Sequence, residues 1–287
     1  MGERAVLVTG ASTGIGRKCA LHLASRGFLV FAGVRKRRDA QDLIRTAQGK
    51  LVPVRLDVTR GSEIRSAAKT VSRRIPAGAS FSLVNNAGIS VTGPLELLEI
   101  ESLRRQFEVN VIGQIAVTQA FLPLLRERGG RIVLMGSLFG RFAVPFVGAY
   151  SGAKFALEAF ADSLSMELAE WGITVTILEP GNIATPIWKK VNAARSGGAN
   201  AARSGGVNAA RSLYSGALGS FDRARDRVTA WGIRPLRVAR AVERALAARR
   251  PRARYLVGLD AQLLGRIIPA LPARLRHLIV GWYVLRR

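Results

Sequence analysis

The sequence predicts an α/β fold, a doubly wound parallel sheet in a single domain spanning residues 1–287. Short apolar runs of strand length alternate with longer amphipathic stretches, which calls for parallel strands joined by right-handed helical crossovers. The first apolar run leads straight into a glycine-rich turn and then a helical pattern. With 287 residues and 48% hydrophobic content, the chain can bury one core large enough for such a domain.

Ala5-Val6-Leu7-Val8 reads as a buried strand. Thr9-Gly10-Ala11-Ser12-Thr13-Gly14-Ile15-Gly16 follows, then a helical stretch through Cys19, Leu21 and Leu23. Small residues let backbone close on a pyrophosphate, and a helix N-terminus offers free N–H groups and a positive dipole end. The spacing is Gly-x-x-x-Gly-x-Gly, and by itself it reads equally as a tight strand-to-helix turn. Further strands are expected at 29–32, 51–56, 82–84, 131–135, 174–178 and 255–257, with amphipathic stretches such as 101–125 and 153–170 between them. In such a sheet the ligand crevice lies at the carboxyl ends of the strands. After the second strand, Arg35-Lys36-Arg37-Arg38 comes with no acid before Asp39. A carboxylate there would repel a ribose 2′-phosphate, whereas a guanidinium holds it through two parallel hydrogen bonds.

Tyr150 and Lys154 stand four residues apart, with Ser137 thirteen residues before the tyrosine. Positions i and i+4 share a helix face, so the Lys154 ammonium is expected beside the Tyr150 phenol. A nearby cation favours the phenolate and lowers a pKa that starts near ~10. A phenol tuned in this way passes a proton to or from a substrate oxygen.

Thr9-Gly10-x-x-x-Gly14-Ile15-Gly16, Asp57-Val58, Asn85-Asn86-Ala87-Gly88, Asn110, Ser137, Tyr150-x-x-x-Lys154 and Pro180-Gly181-x-Ile183-x-Thr185 occur in one order at family-like intervals. By these motifs the chain resembles the short-chain dehydrogenase/reductase family from residue 9 to about 185, and more weakly to about 258. The resemblance implies a Rossmann-type domain and an oxidoreductase moving a hydride between a nicotinamide and a carbonyl or alcohol carbon. It implies that Tyr150 is general acid or base, that Lys154 lowers its pKa and holds the nicotinamide ribose, and that Ser137 steadies the substrate oxygen. Asn110 would hold a water linking Lys154 to solvent; the alternative is a helix irregularity with a satisfied amide. Gly10, Ser12, Thr13, Gly14, Ile15 and Gly16 would cradle the pyrophosphate. Val34 stands where NAD-preferring members carry an acid and Arg35 where NADP-preferring members carry a base, so NADP(H) is the expected cofactor. Asp57 and Val58 would bound the adenine pocket, and Asn85, Ala87 and Gly88 the floor beneath the adenosine ribose. Pro180 and Gly181 end the sixth strand, and Ile183 and Thr185 would meet the carboxamide.

The segment 186–220 is expected to close over the substrate. It contains an eight-residue repeat at 192–211 (Asn-Ala-Ala-Arg-Ser-Gly-Gly-x), whose composition predicts flexibility. Residues 260–287 form an apolar and basic extension with Trp282, too short in either apolar run for the ~20 residues that span a bilayer. It reads as pocket or interface packing first and as a peripheral membrane contact second. Its look, with Arg35, is that of the hydroxysteroid and retinol dehydrogenase branch, which implies a hydrophobic alcohol or ketone as substrate. The net charge of +25, from 44 basic and 19 acidic residues, supports a rival class: a nucleic-acid- or membrane-surface-binding protein on a vestigial dehydrogenase fold. Yet the arginines are scattered, without a nucleic-acid fold signature, so no specific nucleic acid is expected. His22 and His277 lie far apart and no metal site is expected. The first strand begins at residue 5, leaving no room for a signal peptide, and Cys19 has no partner for a disulfide. The expected location is cytoplasmic. Family analogy gives a homodimer or homotetramer through the helices holding Asn110 and Tyr150.

Overall fold

The computed structural model describes residues 3–185 and 205–285, and of 205–211 the backbone alone. One parallel sheet runs in the order β3-β2-β1-β4-β5-β6-β7. Its strands are β1 (Arg4–Val8), β2 (Leu29–Val34), β3 (Leu51–Arg55), β4 (Ser80–Asn85), β5 (Arg131–Met135), β6 (Thr174–Pro180) and β7 (Arg254–Val257). All the expected strands form. The chain reverses direction across the sheet between β1 and β4, where Val8 is in register with Ala32 on one side and Val84 on the other. A crevice opens at such a switch point because the connections leave in opposite directions.

The helices are α1 (Gly14–Ser25), α2 (Arg37–Thr46), α3 (Gly61–Arg74), α4 (Ile100–Phe107), α5 (Gly113–Arg128), α6 (Gly148–Glu167), α7 (Gly205–Ala230), α8 (Pro235–Ala247), α9 (Leu259–Ala270) and α10 (Ala273–Leu285). Alternate residues of the central strands face opposite layers. Leu7, Phe31, Leu83 and Ile132 pack with Val71, Phe121 and Leu157 of α3, α5 and α6. Val6, Val30, Val84 and Val133 pack with Cys19 and Leu23 of α1 and Val238 and Val242 of α8. Burial on both faces explains why these strands read as unbroken apolar runs.

A third cluster joins Leu138, Phe142 and Val147, which follow β5, to Phe221 of α7, Ile268 of α9, and Val280 and Val284 of α10. The C-terminal extension therefore packs against the loop that carries Ser137. The octapeptide copies up to residue 204 lie outside the described residues. The partial copy from Asn208 falls inside α7 and is helical at the backbone rather than flexible chain. The expected single helix over 101–125 is also interrupted, by a π turn at Glu108–Ile112 between α4 and α5.

Candidate active site

A cleft of about 2010 Å³ runs along the carboxyl ends of the strands. At one end it is lined by Gly10, Ser12, Thr13, Gly14, Ile15 and Gly16. Gly10 has φ +64°, and a Cβ there would stand 2.8 Å from Ala87 Cα. A Cβ on Gly16 would stand 2.4 Å from Gly10 O, so the turn closes only without side chains. No acid sits in the first turn of α1, and Thr13, Gly14 and Ile15 at its positive end line the cleft. Such a cradle fits a dinucleotide pyrophosphate.

Arg35, Asp57 and Val58 line the same end of the cleft. Arg35 is largely exposed, with Nη1 3.8 Å from Asp57 Oδ2. Asp57 Oδ1 accepts hydrogen bonds from the Thr59 amide at 3.1 Å and the Thr59 hydroxyl at 2.8 Å. Burial pushes the Asp57 carboxyl up, but these bonds and the charges of Arg35 and Arg60 outweigh it and hold it below its ordinary value. Asp57 thus stays anionic and partly screens the Arg35 guanidinium.

Ala87 and Gly88 line the cleft, and Asn86 does so in place of Asn85. Asn85 is fully buried, and its Nδ2 donates to Thr118 Oγ1 at 2.8 Å and Gln114 O at 3.3 Å. The expected contact of Asn85 with a ribose is therefore corrected: its side chain ties β4 to α5. Side chains alternate along a strand, so Asn85 shares the face of Leu83, whose layer contains α5. Asn86 emerges on the other face, where Nδ2 donates to Thr9 O at 2.9 Å and Gly10 O at 3.3 Å. The Thr9 hydroxyl in turn accepts from the amides of Asn86 and Ala87, both at 2.9 Å.

Ser137, Tyr150 and Lys154 meet deeper in the cleft. Ser137 stands just after β5 and caps a 3-10 turn at Leu138–Gly140, its Oγ accepting from Phe139 N at 3.2 Å. Tyr150 and Lys154 share a face of α6 as their spacing predicts. Lys154 Nζ donates to Met135 O at 2.6 Å and lies 5.6 Å from the centre of the Tyr150 ring. Burial pulls the Lys154 ammonium down to about 8, against the opposing charge of Glu158. Burial also pushes the Tyr150 phenol above its ordinary value, and its hydrogen bond with Ser137 acts the other way. The expected lowering of Tyr150 by Lys154 is thus not realised in the protein alone, because desolvation outweighs the Ser137 hydrogen bond.

Asn110 also lines the cleft, but its amide is engaged. Oδ1 accepts from Ile89 N at 2.8 Å and Nδ2 donates to Ile89 O at 2.9 Å. Asn110 thus sits in the π turn with its side-chain amide satisfied. Gln106 and Gln114, unremarked in the sequence, do the same work. Gln106 Oε1 accepts from Val91 N at 2.7 Å, its Nε2 donates to Ile89 O at 3.1 Å, and Gln114 Nε2 donates to Ala87 O at 3.1 Å. Three carboxamides at i, i+4 and i+8 in a mostly apolar stretch were the available signal.

Pro180, Gly181, Ile183 and Thr185 line the far wall. Asp260, at the start of α9, accepts from Asn182 N at 2.6 Å and so ties this loop to the C-terminal extension. Beyond the tyrosine the cleft widens into an apolar chamber whose walls include Phe142, Val144, Phe221, Ile268 and Val280. Behind the site lies a buried charge cluster, equally unread in the sequence, in which Arg141 Nη1 bonds both oxygens of Glu179 at 3.1 and 3.2 Å. His22 pairs with Glu243 at 2.7 Å on the α1–α8 surface, away from the cleft.

Residues 4–196 match the family model described as short chain dehydrogenase. The chain is 38% identical over 281 residues to retinol dehydrogenase 5 of Homo sapiens, covering 96% of this chain and 87% of the relative. It is 40% identical over 185 residues to the mitochondrial D-beta-hydroxybutyrate dehydrogenase of Rattus norvegicus, covering 62% of this chain and 54% of that protein. Among solved structures, a short chain dehydrogenase from Burkholderia cenocepacia in complex with NADP superposes with a TM-score of 0.72 at 25% identity, covering 97% of this chain and 98% of that one.

Proposed function

The chain belongs to the short-chain dehydrogenase family, and on that premise we propose that it is an NADP(H)-dependent oxidoreductase acting on a hydrophobic alcohol or ketone. The carrying observation is one cleft that joins the glycine cradle of α1, the Ser137–Tyr150–Lys154 group and an apolar chamber. A nicotinamide, when bound, supplies or takes the hydride. Tyr150 gives its proton to the nascent alkoxide in reduction, or takes the alcohol proton in oxidation. Ser137 holds the same oxygen by hydrogen bonding, which stabilises the charge that develops on it. Lys154, fixed by Met135 O, stands close enough to favour the phenolate once Tyr150 has lost its proton. Gly10, Ser12, Thr13, Gly14, Ile15 and Gly16 hold the pyrophosphate. Val58, Ala87 and Gly88 line the adenosine end, and Pro180, Gly181, Ile183 and Thr185 the nicotinamide end.

NADP(H) rather than NAD(H) is supported by Arg35 at the end of β2, where no carboxylate follows the strand. The similar Burkholderia protein was solved with NADP. A steroid-, retinoid- or lipid-like substrate is supported by the apolar chamber and by similarity to a retinol dehydrogenase. The test begins with fluorescence titration by NADPH and NADH, followed by turnover of hydrophobic ketones and alcohols. Saturable binding favouring NADPH is expected, and Tyr150→Phe is expected to bind NADPH normally but turn over nothing. Turnover retained in that variant sinks the mechanism.

A second reading concerns the surface. Leu263, Ile267, Leu278 and Trp282 are exposed on α9 and α10, in a segment that also carries Arg266, Arg274 and Arg276. This favours peripheral contact with an anionic membrane by a protein otherwise in the cytoplasm. The stretch Ile100–Arg128 is apolar enough to cross a membrane, yet half of its apolar window is buried in the fold, so we read it as a core helix. Exposed Ile112, Phe155 and Phe160 on and beside α5 and α6 support a homodimer or homotetramer, which light scattering would test. Nucleic-acid binding has no comparable surface feature in its favour among the described residues; no retention of random-sequence DNA at physiological salt would end that reading.

A further inference from the structure

One turn beyond Lys154 on α6, Glu158 lies in the buried charge cluster. Arg254 Nε donates to Glu158 Oε2 at 3.0 Å and Arg254 Nη2 to Asp162 Oδ2 at 2.8 Å. The same Nε is 3.7 Å from Glu179 Oε1, and Glu179 is fully buried under Arg141. The fully buried Glu179 and the half-buried Glu158 therefore share a pocket with two partly exposed guanidiniums, next to the buried Lys154 ammonium. Carboxylates so close do not both ionise cheaply. Arg141 is committed to Glu179, Arg254 is divided among three carboxyls, and among the described residues no hydrogen-bond partner reaches Glu158 Oε1. Glu158 is thus the less fully paired of the two carboxyls. Burial and the Glu179 charge push its carboxyl up to about 8, the same range to which burial brings Lys154. The turn that joins them is packed hard: a Cβ on Gly140 would stand 3.1 Å from Lys154 O and 3.4 Å from Glu158 Cγ.

We propose that Glu158 is a positioning residue acting through Lys154: one turn away on the same face of α6, its carboxyl supplies the negative charge that keeps the neighbouring ammonium charged. The groups facing it are Lys154 and Asp162 from α6, Glu179 from β6, Arg254 from β7 and, through Glu179, Arg141 from the loop after β5. The inference rests on the role given to Lys154 above, and its test does not depend on turnover. Carbon-13 signals of the lysine side chains would be titrated in the full chain, Lys154 being assigned by its loss in Lys154→Arg. Glu158→Gln is expected to lower the Lys154 midpoint by about one pH unit, and Glu158→Leu to do the same without a polar replacement. Glu158→Asp, which keeps the carboxyl, is expected to stay near wild type. The alkaline limb of turnover should move down by the same interval in Glu158→Gln, at unchanged NADPH affinity. A Lys154 midpoint that is the same in wild type, Glu158→Gln and Glu158→Leu overturns the inference. A Tyr150→Phe variant that still turns over would overturn only the reaction assigned above.

Discussion

Lys154 is held in a state that suits proton chemistry better than stability. Its ammonium is buried, and its proton is bound less tightly in the fold than in the unfolded chain. The unfolded chain therefore carries the extra proton between pH about 8 and the ordinary lysine value of 10.5, and folding stability rises with pH across that window. Lys154→Met should remove this rise and stabilise the protein at neutral pH by about 1–2 kcal/mol, the lost bond to Met135 offsetting part of the gain. Thermal melts at several pH values would check it, and turnover should be lost. Arg35→Asp belongs to the same scale. It should lower NADPH affinity far more than NADH affinity, and equal losses in the two titrations would remove Arg35 from phosphate recognition. Tyr150, Lys154 and Ser137 were legible in the sequence because a four-residue helical spacing fixes a shared face. The engagement of the Asn110 amide was not, because its partner Ile89 is 21 residues away on another segment.

At the scale of elements, the α4–π–α5 rod holds the loop after β4 by its carboxamides. Asn110→Ala removes the side-chain partner of Ile89 N and one of the two donors to Ile89 O, Gln106 remaining, so a loss of about 1–3 kcal/mol is expected from denaturant unfolding. NADPH affinity should fall with it, because Gly88 and Ile89 line the cleft. Gly88 faces Asn110: a Cβ added there would stand 3.5 Å from Asn110 Oδ1. The strands were readable from apolar runs alone. The break in the helix was not, since apolar periodicity continues through a π turn. The exchange of Asn85 for Asn86 follows from strand parity, and a count from Leu83 in the core would have found it.

The whole molecule carries +25, and its solvated arginines should make every anion association fall with salt. True cofactor binding is expected to persist at high ionic strength, because the cradle supplies backbone hydrogen bonds that salt does not screen. The exposed apolar faces of α9 and α10 are a property of the assembled molecule, since both helices also wall the apolar chamber of the cleft. Leu278→Asp should weaken retention on anionic phospholipid vesicles several-fold while leaving NADPH binding unchanged. Equal retention of wild type and variant in a flotation assay would argue against membrane contact through α10.

Local pattern by itself determined the α/β order, the glycine cradle, the basic end of β2 and the Ser137–Tyr150–Lys154 group. Each of these is encoded within a few residues or by a fixed period of a helix or strand. Tertiary structure alone decided the direction of the Tyr150 and Lys154 shifts, the pairing of Asn110 with Ile89, the Glu158–Glu179 cluster and the packing of α9 and α10 over the Ser137 loop. These depend on burial and on partners distant in the chain, and desolvation acts only once the fold has excluded water.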